Sequence, residues 1–148
     1  MLRLSKKTLL ALEAVVDIAI NARPEPVQSK EITQRQGIPQ RYLEQVMQQL
    51  VHAGVLKGVR GPRGGYRLAR ERRRISVGEI VRIVDAVETT EENGHNGTSE
   101  LGQMVIRPLW EELQQALMEK LDSITVEDLC TRAGEAGVGR SLPADFEI

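Results

Sequence analysis

Apolar residues between positions 5 and 22 recur at the spacing of a helix and give it one broad apolar face. These residues are Leu9, Leu10, Leu12, Ala14, Val15, Val16, Ile18 and Ala19. The segment Arg23-Pro24-Glu25-Pro26 ends the helix, because proline cannot donate a helical hydrogen bond. The pattern therefore predicts a first helix that packs one side against a core.

Two shorter helical segments follow, and the residues at their ends mark their limits. Ser29 is predicted as the N-cap of a helix over residues 29–36, and Gly37 suits the position just past its end. Pro39 fits the first turn of a further helix over residues 39–53. The apolar positions of that helix are Leu43, Val46, Met47 and Leu50. Two short helices joined at a glycine predict a helix-turn-helix.

A short hairpin is predicted directly after these helices. Residues 55–59 and 66–68 read as its strands, and the tip between them has the sequence Arg-Gly-Pro-Arg-Gly-Gly. Glycine allows close approach and positive φ, proline stiffens the turn, and arginine supplies charge and a planar donor group. An ordinary exposed loop is the alternative. The position after a helix-turn-helix favours a wing that lies against a phosphate backbone.

A capping box opens the next helix, and a long helix follows a polar loop. Ser76 and Glu79 have the spacing at which each side chain bonds the other residue's backbone N–H. The apolar positions that follow are Val77, Ile80, Val81, Val84 and Val87. Residues 88–103 lose all periodicity and predict a polar loop. The long helix is predicted over residues 105–123, and Pro108 sets its start because proline is tolerated only in a first helical turn.

The long helix carries an apolar ridge at i, i+4 spacing. Its members are Leu109, Leu113, Leu117 and Leu121, with Trp110 beside them. A ridge of this kind packs either on its own domain or on a second copy of the chain. The preceding domain is small, which favours dimerisation. After it, residues 125–128 predict a cap for a short helix that runs to about Arg132.

The chain therefore divides into three parts. Residues 1–75 are predicted to form a winged helix-turn-helix DNA-binding domain, residues 76–133 to hold the connecting helix, an effector-type loop (88–103) and the dimerisation helix (about 105–123), and residues 134–148 to form a tail. The predicted fold class is mainly α with a small β-wing.

Charge separates along the chain in the same way. Residues 1–75 carry 15 Lys and Arg against 6 Asp and Glu, whereas residues 76–148 carry 5 against 15. The near-zero net charge of −1 thus hides a basic half and an acidic half. This separation indicates a face that binds nucleic acid and another that is turned away from phosphates.

Cysteine usage and hydropathy exclude several classes of protein. Cys130 is the only cysteine of the chain, which excludes an internal disulfide and a zinc site built on several thiolates. No stretch approaches the roughly 18 apolar residues of a membrane span. We therefore expect a cytoplasmic protein without a membrane partner.

Three stretches of the chain resemble one bacterial family. They are Gly37-Ile38-Pro39-Gln40-Arg41-Tyr42-Leu43-Glu44-Gln45, the hairpin residues 59–68, and Ile75-Ser76-Val77-Gly78-Glu79-Ile80. Together they resemble the winged-helix transcription regulators of the IscR, NsrR and CymR type, and the resemblance extends to about residue 133. It implies a homodimer in which the long helix crosses its partner's copy. Each protomer would then offer one winged helix to half of a palindromic site in double-stranded DNA.

The resemblance assigns base readout to the start of the helix over residues 39–53. Arg41 is expected to bind guanine O6 and N7, and Glu44 to accept from a cytosine amino group. A plain solvent-facing glutamate is the alternative for Glu44. Gln40, Tyr42 and Gln45 are expected to contact phosphate or sugar.

Further contacts are expected from the wing and from scattered cations. Arg60 matches the arginine that this family inserts into a narrow A·T-rich minor groove. Arg63 stands where relatives often carry glycine and is expected to add a phosphate contact. The salt-dependent backbone contacts are assigned to Lys6, Lys7, Lys30 and Arg35.

The chain departs from the family at the sensing site. Many members hold an iron–sulfur cluster through cysteines in the loop before the long helix, and here that loop has none. Met104 and Arg107 stand near positions where cluster-binding relatives place a Cys and a His. We therefore expect a regulator without the standard cluster, tuned by an effector protein, a small molecule or the redox state.

Two alternatives stay open. The first is a regulator with a non-standard [2Fe–2S] cluster, whose ligands would come from Glu91, Glu92, His95 and Cys130. The second, more remote, is a thiol-dependent enzyme with Cys130 as nucleophile. Such an enzyme needs a base beside the thiol, and the sequence shows no catalytic constellation of that kind.

Overall fold

Six α-helices and a two-stranded hairpin make up the computed structural model, which describes residues 5–22, 25–85 and 99–138. The elements are, in chain order, α1 (Lys6–Asn21), α2 (Ser29–Gln36), α3 (Gln40–His52), β1 (Leu56–Val59), β2 (Gly65–Leu68), a 3₁₀ turn (Arg72–Arg74), α4 (Val77–Asp85), a π-helical turn (Gly102–Ile106), α5 (Arg107–Asp122) and α6 (Val126–Glu135). The two strands pair antiparallel, with Leu56 opposite Leu68. This architecture matches the predicted class, mainly α with a small β-wing.

Helix α1 is the centre of the fold, because α2, α3, α4 and α6 all pack against it. Its inward face consists of small and branched side chains, Ala11, Ala14, Val15 and Ile18, which are fully buried. They meet the apolar positions of α3 together with Ile75, Ile80, Val84 and Val126. Each buried isoleucine or leucine contributes about 1.5–3 kcal/mol. One core thus joins the helix-turn-helix to the starts of α4 and α6.

The predicted ends of α2 hold with one correction. Gly37 closes α2 in the left-handed region, with φ of 67°, and its N–H donates to the carbonyl of Thr33. Ser29, however, is the first residue of α2 and not its N-cap. Gln28 takes the cap position, where its N–H donates to the Glu31 carboxylate at 3.4 Å. The carboxylate three residues along therefore fixes the start of this helix.

The capping box that opens α4 is only half formed. The Glu79 N–H donates to Ser76 Oγ at 3.0 Å, as predicted. The Glu79 carboxylate instead pairs with Arg70, which lies after the wing. A nearby guanidinium thus competes successfully with the backbone N–H for this carboxylate.

The starts of α4 and α6 lie side by side. Val77 N–H donates to the Ile124 carbonyl at 2.8 Å, and Val126 N–H donates to the Ile75 carbonyl at 2.9 Å. The predicted cap of α6 is present, because Thr125 Oγ1 accepts from the Asp128 N–H and the Asp128 carboxylate accepts from the Thr125 N–H. Helix α6 then continues to Glu135 rather than ending near Arg132.

The long helical segment begins earlier than Pro108 predicts. A π-helical turn precedes α5, and in it the Arg107 N–H donates to the Gly102 carbonyl five residues back. This wider turn lets the helical path continue upstream of a residue that cannot donate. Val87 and most of the predicted polar loop lie outside the described residues, as do positions 139–148.

Candidate nucleic-acid interface

Helix α3 has one buried face and one polar face. Leu43, Val46, Met47 and Leu50 are buried in the core. Gln40, Arg41, Glu44 and Gln45 are exposed. Helical spacing places Arg41 and Gln45 opposite the buried set, with Glu44 and Gln40 along one edge of the polar face. Tyr42 lies between the two faces with 48% of its surface exposed. All the residues that the sequence assigned to readout on this helix are therefore accessible to a ligand.

Hydrogen bonds between side chains organise the first turn of α3. The Thr33 hydroxyl shares its one proton between the Ser29 carbonyl at 3.0 Å and Gln40 Oε1 at 3.2 Å, and Gln40 Nε2 donates to Glu44 Oε1 at 3.0 Å. The Glu44 carboxylate is thereby oriented by its neighbour one turn earlier, and it keeps a second oxygen for a ligand. Arg41 has no ion pair or hydrogen bond to any residue in the described part of the chain, so its planar donor group is available for a base edge.

Glycine geometry shapes the tip of the wing. Gly61 has φ of 112°, and the Gly64 N–H donates to the Gly61 carbonyl at 2.9 Å. A Cβ on Gly64 would lie only 2.2 Å from the Val59 carbonyl oxygen, so the turn requires glycine there. Both arginines of the tip, Arg60 and Arg63, are exposed. Arg63 approaches Glu25 at 3.5 Å, but both side chains are largely in solvent, so this pair is weak.

The wing is fastened to the segment that leads into α2. Val27 and Tyr66 exchange two backbone hydrogen bonds, at 3.0 Å and 2.7 Å. This close approach is possible because residue 65 is glycine: a Cβ on Gly65 would lie 2.4 Å from the Val27 carbonyl oxygen. The wing and the helix-turn-helix therefore form one unit with a fixed separation between the tip and α3.

The scattered cations that were assigned to phosphate contacts divide into two groups. Lys6 and Lys30 are exposed and Lys7 is half-buried. Arg35 is exposed but paired. Its Nε and Nη2 donate to Asp17 at 2.9 Å and 2.8 Å; the Asp17 side chain is fully buried, whereas 37% of the Arg35 side chain is exposed. The phosphate contact expected of Arg35 therefore meets a competing ion pair, and the hydrogen bond that Arg35 donates to Asp17 raises the pKa of Arg35 above its ordinary value.

The arginine-rich segment after the wing is paired with acids. Arg70 pairs with Glu79, Arg72 with Glu127, and Arg73 with Glu71. Hydrogen bonding from Arg73 lowers the pKa of Glu71. This segment therefore connects the base of the wing to α4 and α6, and its charges are largely neutralised.

The apolar ridge of the long helix is divided between two environments. Leu121 is buried against Val77 and Val81 of α4, and Leu117 packs partly on the same cluster. The packing of Leu121 within its own chain gives it a role other than the expected dimer contact. Leu109, Trp110 and Leu113 keep 41–46% of their surface exposed. The apolar residues at and just before the π-helical turn are exposed as well. Leu101, Met104, Val105 and Ile106 have 51–71% of their surface exposed.

The described residues bring no metal ligands together. Glu91, Glu92 and His95, the candidate sensor residues of the loop, lie outside them. Cys130 is half-buried on α6 against the core. Met104 is exposed on the π-helical turn, and Arg107 pairs with Glu111 at 3.4 Å. Across residues 5–22, 25–85 and 99–138, no three His, Cys, Asp or Glu side chains are grouped as a metal site requires, and no helix is long and apolar enough to cross a bilayer.

One polar residue of this region was not recognised from the sequence. Asp17 stands in the apolar run of α1; its carboxylate is buried and accepts hydrogen bonds from the exposed Arg35 and Gln36, which joins α1 to α2. The only sequence signal was an acid among apolar residues. Neither its partners nor its burial follow from periodicity, because they depend on how two helices cross.

Comparisons with known proteins agree with this geometry. Residues 4–132 match the family model described as "Rrf2: Iron-dependent Transcriptional regulator". The HTH-type transcriptional regulator IscR of Vibrio cholerae serotype O1 is 36% identical over 129 residues, which cover 86% of this chain and 75% of that protein. The relatives are named as regulators of transcription, which is not an enzymatic role.

Solved structures show the same fold. The structure of T. potens IscR is 36% identical, covers 95% of this chain and 94% of its own, and superposes with a TM-score of 0.74. The structure of CymR, described as the global cysteine regulator of B. subtilis, is 32% identical and superposes with a TM-score of 0.72 over 89% of this chain and 98% of its own.

Proposed function

Because this chain belongs to the Rrf2 family of transcriptional regulators, we propose that it binds a palindromic operator as a homodimer, with α3 in the major groove and the wing tip in the adjacent minor groove. One observation carries the proposal. The exposed face of α3 and the exposed Arg60 belong to a single unit, held together by the backbone bonds between Val27 and Tyr66.

The roles of the side chains follow from their chemistry. Arg41 presents two parallel N–H donors, which match the O6 and N7 acceptors of guanine. Glu44, held by Gln40, accepts from a cytosine amino group. Arg60 enters the narrow minor groove of an A·T-rich segment, where the negative potential is strongest. Lys6, Lys7, Lys30 and Arg63 add the salt-dependent attraction to phosphates.

Homodimerisation is supported by the unpartnered face of the long helix. Seven large apolar side chains between Leu101 and Leu113 are exposed, which is an unusual concentration for a surface segment. They lie at the end of the helix that is remote from its own packing on α4, since only Leu117, Met118 and Leu121 join the cluster there. A second copy of this chain is the occupant that we propose for this face.

A second apolar surface supports the same assembly. A groove of about 950 Å³ lies between α1 and α6, and its apolar lining includes Leu9, Leu12, Val16 and Leu129. Leu9 is 47% exposed there. The groove and the exposed helix face are both apolar, so reciprocal docking of each protomer's helix beside the other's groove would remove both from water.

The cysteine-held cluster that the resemblance implies does not fit the residues of this chain. Such a cluster requires several thiolates, and the chain has one cysteine, which packs against the core. We propose that regulation does not use that cluster. Absorbance between about 300 and 600 nm after anaerobic purification tests this, because iron–sulfur clusters absorb in that window and the apoprotein does not.

Selection of bound duplexes from random DNA tests the main proposal. We expect the purified chain to enrich an inverted repeat whose half-sites lie about one helical turn apart. Light scattering of the complex should give two chains per duplex. An enriched sequence without two-fold symmetry, or one chain per duplex, would contradict the proposal.

A further inference from the structure

An ion pair joins the buried Asp17 of α1 to the partly exposed Arg35 of α2, and it competes with the phosphate contact expected of Arg35. Both carboxylate oxygens of Asp17 accept hydrogen bonds: Oδ1 from Arg35 Nη2 at 2.8 Å, and Oδ2 from Arg35 Nε at 2.9 Å and from Gln36 Nε2 at 2.8 Å. The donors are the last two residues of α2. Asp17 thus binds the C-terminal end of α2 through two neighbouring side chains.

Helix α2 buries little of its own surface. Ile32 is its only buried residue, and the next buried side chains are Val27 before the helix and Ile38 after it. Among the described residues, Asp17 makes the one side-chain polar attachment that ties the last turn of α2 directly to α1. It therefore restrains rotation of that turn about the helix axis, which the apolar contacts resist only weakly.

The direction of α2 is passed on to the reading helix. Gly37 makes the left-handed turn directly after Gln36, and Ile38 is buried. Thr33 then donates to Gln40, and Gln40 donates to Glu44. A rotation of α2 would therefore shift the first turn of α3, where Arg41 and Glu44 are presented.

We infer that Asp17 is a positioning residue for sequence recognition, acting through Arg35 and Gln36 to hold the first turn of α3 at the angle that base readout requires. The inference rests on the proposed function, since it concerns the same DNA-reading helix. A buried carboxylate contributes little net stability even when it is paired, compared with an apolar side chain of similar volume, so a role in orientation accounts for an acid in the apolar run of α1.

Asp17→Asn tests the inference with two probes. One is the duplex that the wild-type protein selects from random DNA, and the other is a duplex of the same base composition in scrambled order. We expect Asp17→Asn to lose at least about tenfold in affinity for the selected duplex, the size of a mismatched base pair, and to stay within about twofold of wild type on the scrambled duplex. Its selected sequence should also become less defined at the positions read by α3.

Glu119→Gln is the control. Glu119 is exposed on α5, so this change removes one acidic charge away from α1, α2 and the groove between α1 and α6. It should leave the ratio of the two affinities unchanged. Arg35→Ala separates positioning from phosphate contact: we expect the loss of selectivity seen in Asp17→Asn with an unaltered salt slope, whereas a phosphate contact would reduce that slope by about one.

The double variant Asp17→Leu with Arg35→Met keeps the test decisive if Asp17→Asn does not fold, because it removes the buried carboxylate together with its charged partner. A folded dimer of either variant with the wild-type affinity ratio overturns the inference and leaves the proposed function intact. A wild-type protein that selects no sequence overturns both.

Discussion

Arg82 of α4 and Asp122 of α5 form a bidentate ion pair, with Nη1 to Oδ1 at 2.5 Å and Nη2 to Oδ2 at 2.7 Å. The pair spans the junction from which the long helix leaves the DNA-binding domain. The hydrogen bonds from Arg82 lower the pKa of Asp122 below its ordinary value. Both side chains are exposed, so the pair contributes only modestly to the stability of the fold.

Acidification is expected to loosen this junction. Because the pKa of Asp122 is lower in the folded chain than in the unfolded chain, the pair stabilises the fold at neutral pH and this contribution is lost as the pH falls through the folded-state pKa. The Tm difference between wild type and Asp122→Asn should therefore shrink between about pH 5 and about pH 2, because the ordinary pKa of 3.8 is lowered in the fold. Glu119→Gln, on the same helix, is the control. A difference that stays constant over this range would contradict the assignment.

Gly78→Ala should destabilise the same junction. A Cβ on Gly78 would lie 2.0 Å from Asp122 Oδ1 and 2.9 Å from the Asp122 backbone nitrogen, so α4 and α5 must move apart. We expect a loss of about 1–3 kcal/mol in the free energy of unfolding, measured with urea. Gly134→Ala is the matched helical control, because no atom lies within 4 Å of its Cβ position. Equal effects of the two changes would show that close approach is not the cause.

Arg60→Ala should weaken operator binding and relax the preference for A·T pairs at the flanks of each half-site. The expected readouts are affinity in gel shifts and the profile of selected duplexes. Arg73→Ala removes the same charge away from the wing tip, where Arg73 pairs with Glu71, and should leave the profile unchanged. An Arg60→Ala protein with wild-type affinity and an intact A·T preference would rule out the minor-groove role.

Glu44→Ala should remove discrimination at one base pair of each half-site. The carboxylate accepts from a cytosine amino group in our proposal, and its loss should reduce discrimination there by about 1–3 kcal/mol. Binding to duplexes that differ only at that pair measures the effect, with Glu13→Ala as the control for charge. Base-pair discrimination identical to that of wild type would show that Glu44 is a solvent-facing residue without a base contact.

Two leucines of the same ridge should behave oppositely. Leu109→Glu places a charge on the exposed apolar face and should yield folded monomers in light scattering. Leu121→Ala leaves a cavity beside Val77 and Val81 and should lower the free energy of unfolding by about 2–5 kcal/mol while the dimer persists. Dimers of Leu109→Glu as stable as wild type would exclude this face as the interface.

Periodicity and end signals predicted most of the fold, because these depend on neighbours along the chain. The left-handed Gly37, the strands of the wing and the cap at Thr125 all hold in the structure. The comparisons confirm the resemblance drawn from the wing and the helix-turn-helix. The roles assigned to individual DNA-contacting residues stay predictions.

The features that sequence reasoning missed depend on contacts between distant segments. The N-cap of α2 is Gln28 and not the predicted Ser29, because the Glu31 carboxylate accepts a hydrogen bond from the Gln28 N–H. The Glu79 carboxylate pairs with Arg70 and not with the predicted backbone N–H of Ser76. The partner of Arg35 could not be inferred, since α1 and α2 cross at an angle that the sequence does not display. The π-helical turn before α5 was not predicted, because a proline such as Pro108 ordinarily marks the first turn of a helix.

The backbone bonds between Val27 and Tyr66 have a consequence for the spacing of bases within an operator. Because the distance between α3 and the wing tip is fixed, the distance between the base pairs that they contact in the proposed complex is fixed as well. One inserted base pair advances the duplex by about 3.4 Å and turns it by roughly a tenth of a revolution, enough to carry α3 or the wing tip off its target. We therefore expect operators of this protein to vary in base sequence but to keep a constant number of base pairs between the G·C pair proposed for α3 and the A·T tract proposed for Arg60.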